Sequence, residues 1–265
     1  MSKFTKVIKS TVAALALATS YNASADTVSA GGIEWDTFTQ DGVEAMSAAF
    51  SFQQWFTNDY TSGGVIGGAS ASNAVLPQVG AELVGIGLFN EFSVARSLGS
   101  PDFCETGNSS NCELTFAFGG LIATSPTTFD FSNAWLNVYF DDTPDFPQSA
   151  SGANLWQETA DAQNGTLWAS FSWDEFVFVA GNLNGGVISA ALTVTGGLPS
   201  VVDALDYGQG QSDFSMLSSA LFFTGNVRST GGTGNMQSVS APSTVALFGL
   251  SLIALGAASR RKKAK

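Results

Sequence analysis

Three aspartates stand close together in YFDDTPDF: Asp141, Asp142 and Asp145. Carboxylates at this density are what a hard cation takes as ligands, and Ca2+ gathers about six to eight oxygens from carboxylates, backbone carbonyls and water. The same residues also spell a turn, with Pro144 fixing φ and aspartate side chains accepting from nearby amides. The spacing of a regular calcium loop is absent, so turn and Ca2+ site both stand as readings. Cys104 and Cys112, the only cysteines, flank a Gly/Asn/Ser turn in SPDFCETGNSSNCELTF. Their spacing is not that of a redox pair, and a chain without histidine cannot complete the usual zinc sets. In an exported protein they pair as one structural disulfide, worth roughly 2–3 kcal/mol through loop entropy.

The absence of histidine removes Ser–His–Asp and Cys–His catalysis along with histidine-based metal centres. Ser–Lys chemistry needs a lysine, and none lies between residues 26 and 240. A glycosidase pair needs only two carboxylates, but 22 acidic residues make any chosen pair uninformative. The expectation is a protein that is not an enzyme. Six tryptophans offer stacking faces for sugar rings. Trp168 and Trp173 are five apart, so a regular strand would turn them to opposite sides, and most of the six read as core.

The elements that must position these residues read as short strands. ELTFAFGGLI and NAWLNVYF alternate, GTLWASFSWDEFVFVAG is a long aromatic run, and GGVISAALTVTGG and SSALFFTGNV are bounded by glycine. GGIEWDTF and LVGIGLFNEF add strands near the start, while GVEAMSAAFSFQQWFT fits helix or strand. TSGGVIGGASASNA reads as loop. Few Lys and Glu disfavour long surface helices, and 21 Phe supply ample area to bury. The predicted class is all-β, a β-sandwich or jelly roll over residues 26–227. The Gly/Ser/Thr stretch 228–240 reads as a flexible linker.

The two ends are built differently from the body. Lys3, Lys6 and Lys9 precede the apolar TVAALALATS, and Ala23 and Ala25 fit a small-x-small cleavage site, which is the layout of a signal peptide over residues 1–25. At the other end Pro242, Ser243 and Thr244 precede an apolar run from Val245 to Ala258, closed by Arg260, Arg261, Lys262 and Lys263. As a helix the run spans roughly 21 Å, short of the roughly 30 Å hydrocarbon core. The basic cluster fits the cytoplasmic side of a membrane segment. The expected device is a short transmembrane helix that stops transfer and anchors weakly.

Residues 241–265 resemble the C-terminal sorting signal of PEP-CTERM proteins, with Pro-Ser-Thr, a short apolar helix and a terminal basic cluster in order. The family's Pro-Glu-Pro is Ser240-Ala241-Pro242 here. The resemblance implies recognition by an exosortase, an integral-membrane processing enzyme of Gram-negative bacteria, and an association with exopolysaccharide and biofilm. It implies transient anchoring in the inner membrane, then release to the cell surface or extracellular matrix. The body between the two ends carries 22 acids against Arg96 and Arg228. That charge repels nucleic acid and anionic surfaces, and it attracts divalent cations. The expected role is structural or interactive, with a carbohydrate-binding module of the same compartment as the alternative and a glycan-cleaving enzyme more distant.

Overall fold

Alternating large and small residues make strands with one ring-bearing face, and the computed structural model shows these faces turned into a common lumen. The structure describes residues 27–40, 43–61, 63–92, 96–97, 103–104, 112–147, 155–207 and 212–238. In chain order, two small hairpins come first: β1 (Thr27–Ala30) with β2 (Ile33–Asp36), and β3 (Phe38–Gln40) with β4 (Val43–Ala45). There follow β5 (Ser47–Thr57), α1 (Gly68–Ser72), β6 (Ala74–Val75), β7 (Glu82–Phe92), β8 (Arg96–Ser97), β9 (Glu113–Ser125), β10 (Thr128–Asp130) and β11 (Trp135–Asp141). The last elements are α2 (Leu155–Asp161), β12 (Thr166–Asn182), β13 (Gly185–Gly197), α3 (Pro199–Leu205), β14 (Phe214–Leu221) and β15 (Thr230–Ser238).

The main strands run β9-β11-β12-β13-β14-β15-β5-β7, every neighbour antiparallel, and β7 pairs back to β9. The result is a closed eight-stranded barrel rather than the expected sandwich or jelly roll. Alternation reports that a strand has one buried face; it does not report whether the sheet bends round to meet its own edge. The ambiguous GVEAMSAAFSFQQWFT holds β4 and all of β5. Its Ala48, Phe50, Phe52 and Phe56 are buried and share the lumen with Phe116, Phe118, Phe171 and Met216.

The stretch expected to be a flexible linker is corrected by β15, which lies between β14 and β5 and completes the barrel. Composition misled because the inward positions of β15 include glycines. Gly232 pairs with Phe52 and Gly234 with Phe50. A Cβ on either glycine would fall within 2.5 Å of the partner's ring, so the missing side chains are the space those rings occupy. Gly85 and Gly87 on β7 do the same for Phe118 and Phe116.

Bulges also correct the separation of Trp168 and Trp173. The β11–β12 register shifts between Val138 and Tyr139, with Trp168 as the extra residue between Leu167 and Ala169, which reverses the strand's phase, and both indoles are buried in the lumen core. Trp168 belongs to a plug at one end of the barrel. Its ring meets Trp35 and Phe92 edge-on at 6.1 and 5.8 Å, its indole N–H donates to the Ala30 carbonyl, and Val201 and Leu205 of α3 are buried in the same core. Cys104 and Cys112 are bonded here with Cα atoms 6.0 Å apart, and Cys104 bridges to Ile33 of β2.

A second core lies outside the barrel. Trp55, Val84, Ile86, Leu88 and Tyr139 face outward but are covered by the segments around α1 and α2, through Ile66, Ala71, Leu155 and Ala162. Burial on both faces explains the nearly continuous apolar run of β7. Glu82 begins that strand fully buried. Its Oε2 accepts the Thr61 N–H at 2.6 Å, and its Oε1 accepts the Gly120 N–H at 2.5 Å together with the Thr61 hydroxyl. Thr61 Oγ1 in turn accepts from the Trp135 indole at 3.2 Å. One carboxyl group thus pins the loop after β5 to the bend in β9 where Gly120 takes φ +77°.

Candidate functional site

Glu113 is the first residue of β9 and Asp141 the last of β11, and the antiparallel register sets them opposite each other. The turn after β11 folds back so that Asp145 joins them. Carboxylate oxygens of Glu113, Asp141 and Asp145 all lie within 4.8 Å of one another. The turn is fixed by its own bonds: Asp141 Oδ1 accepts the Thr143 N–H and hydroxyl, both at 2.8 Å. Glu113 Oε1 accepts the N–H groups of Asp145 at 3.2 Å and Phe146 at 3.1 Å. Phe146 is buried in the outer core and Asn164 donates to both oxygens of Asp145, so the loop is held from two sides.

The predicted cluster is therefore partly re-formed. Asp141 and Asp145 belong to it, Asp142 is exposed and outside it, and Glu113 takes the third place. The aspartate turn is also present, so the two readings of this stretch coexist. Glu113 was not visible in the sequence, because only strand pairing brings it to Asp141. Its position at the first residue of an alternating run was the sole hint.

Burial pushes the Glu113 carboxyl up to about 7, against the pull of the Phe146 and Asp145 amides; the charges of Asp145 and then Asp141 raise it further. Near neutrality the group is thus poised to release a proton to a cation that replaces it. The geometry offers three carboxylates of graded burial, a set that suits a hard cation with remaining positions filled by water or carbonyls.

The pH dependence has a definite sign. Unfolded, Glu113 returns towards 4.5, so between about 4.5 and about 7 the folded chain holds a proton that the unfolded chain has lost. Stability without added cation falls as pH rises through that window and levels off above it. Asp213, also raised mainly by burial while accepting from Val194 and Tyr207, acts with the same sign. Glu113→Gln keeps the Oε1 acceptor and flattens the decline. Urea midpoints at pH 5, 6, 7 and 8 check this; an unchanged slope in the variant refutes the assignment to Glu113.

Of the tryptophans, Trp35, Trp55, Trp168 and Trp173 are core, Trp135 is half-buried, and Trp156 is 56% exposed. The Trp156 indole lies against Gly68, beside a surface pocket lined by Asp59, Tyr60, Thr61, Gly67 and Ala69. The cleavage residues Ala23 and Ala25 lie outside the described residues. So do the tail residues Pro242, Ser243, Thr244, Arg260, Arg261, Lys262 and Lys263 and the apolar run before the basic cluster. Among the described residues no helix is long and apolar enough to cross a membrane. No protein-family model, curated protein or solved structure matches the chain.

Proposed function

We propose that this chain is an exported protein of the cell surface or extracellular matrix, sorted by an exosortase-type enzyme and serving a structural or interactive role beside exopolysaccharide. The observation that carries the reading is the order of Pro242-Ser243-Thr244, apolar run and basic cluster after an N-terminal export signal. The disulfide fits an oxidising compartment. A closed barrel leaves no long free edge, which suits a protein that must persist at high local concentration without pairing edge to edge. In that compartment Glu113, Asp141 and Asp145 take Ca2+, with Asp142 outside the shell. Calcium titration of the wild type, Glu113→Gln and Asp142→Asn separates the roles: the first variant loses the response and the second keeps it.

Peptide mapping of the extracellular fraction tests the sorting. Mature protein is expected to lack about its last 25 residues, the length over which the sorting resemblance runs. Persistence there of peptides spanning Leu252 to Leu255 would overturn the reading. Carbohydrate binding is the second reading, and the exposed Trp156 beside a pocket bearing Asp59 and Tyr60 favours it. Saturable binding to the organism's polysaccharide, lost in Trp156→Ala, selects that reading.

A further inference from the structure

The plug closes one end of the barrel, and towards the other end the lumen is not filled. A cavity of about 50 Å³ remains there, walled by Phe52, Phe118, Trp173, Phe178, Ile188 and Met216. On the scale where one water needs about 10–15 Å³, this is room for about three to five. Water is a poor occupant, because it needs about two to four polar partners and the wall is rings and aliphatic chains, with Gln54, Asn182 and Ser218 as its polar side chains. Eight-stranded barrels are wide enough inside to hold one small ligand.

One wall residue carries an unspent donor. Trp173 is only 7% exposed, and its indole N–H has no acceptor among the described residues. Buried indole N–H groups ordinarily find a partner, since leaving one without is costly. Trp168, five residues earlier on the same strand, has its acceptor in the Ala30 carbonyl. We propose that the lumen binds a small apolar molecule of about single-ring size bearing one acceptor oxygen, and that this oxygen takes the Trp173 indole hydrogen bond. The chain's own apolar tail is a weaker occupant, because β15 runs from Thr230 beside Leu221 to Ser238 beside Phe214 and so leaves the barrel at the plugged end.

The proposal is independent of how the protein is sorted, and two probes of equal heavy-atom count test it on the full chain. Cyclohexanone and methylcyclohexane are titrated into protein labelled with 15N at the tryptophan indoles and 13C at the methyl groups. Both probes are expected to shift the methyls of Ile188 and Met216. Cyclohexanone alone should move the Trp173 indole N–H downfield. Trp173→Phe should lower ketone affinity about two- to tenfold, the worth of one neutral hydrogen bond, and spare the hydrocarbon. Should that variant fail to fold, Ala220→Leu, which narrows the cavity from its mouth side, should abolish both responses. No shift in either methyl, ketone binding without movement of the indole, or binding that survives Ala220→Leu would each overturn the proposal. Binding seen only after removal of residues 241–265 would make the tail the natural occupant and overturn it as well.

Discussion

A chain ending at Arg228 is expected to give no cooperative unfolding transition, whereas one ending at Ser238 should melt like the full protein. The cut removes the single stave that joins β14 to β5. Both neighbours then present an open ladder, and Phe50 and Phe52 lose the glycine backbone over which their rings lie. Unpaired backbone along two strand edges together with water entering the lumen exceeds the roughly 5–15 kcal/mol by which domains are stable. Near-ultraviolet circular dichroism reads the packing of the buried aromatics and should collapse in the shorter chain. If the chain ending at Arg228 keeps a native spectrum, β15 is dispensable and the closure of the barrel is misassigned.

Glu82→Ala should cost about 3–5 kcal/mol, since it takes from two half-buried backbone amides and a hydroxyl the fully buried acceptor that they share. The loss is larger than any single contact suggests, because Thr61 also anchors the Trp135 indole and thereby the edge of the outer core. Glu82→Gln should also destabilise, as its amide group would face donors on at least one side. The exposed Glu175→Ala is the control and should leave the urea midpoint in place. A midpoint for Glu82→Ala equal to that control would mean the loop is held by packing alone.

How much of this could be read beforehand differs element by element. The alternation in ELTFAFGGLI and NAWLNVYF names β9 and β11 because burial of one face leaves a period of two in the sequence. β15 escaped because its period of two is written in absences: Gly232 and Gly234 hold the inward places that a pattern reader looks for in Leu or Val. A regular strand puts the tryptophan pair on β12 on opposite faces, and bulges carry no signature in composition, yet one extra residue at Trp168 reverses the side chains that follow. In the carboxylate cluster, proximity along the chain found Asp141 and Asp145. Asp142 lies outside that group, and proximity along the chain could not reach Glu113, which arrives through strand pairing. The disulfide needed no such pairing, as its two cysteines are only eight apart in the chain.

The identity of the closing strand also sets a clock. Chains emerge at about 5–20 residues per second, so β5, complete at Thr57, waits roughly ten to thirty seconds for Thr230 to appear. During that interval Phe50 and Phe52 have no cover on the side where β15 will lie. The barrel cannot form progressively from its first strands; it shuts once, when β15 has been made. The strand delivered last, TGGTGNMQS, is the least adhesive of the eight, so it arrives without a competing attraction to another open chain. Any helper that shields this chain during synthesis therefore has to hold the phenylalanine face of β5 and let go only when Ser238 has cleared.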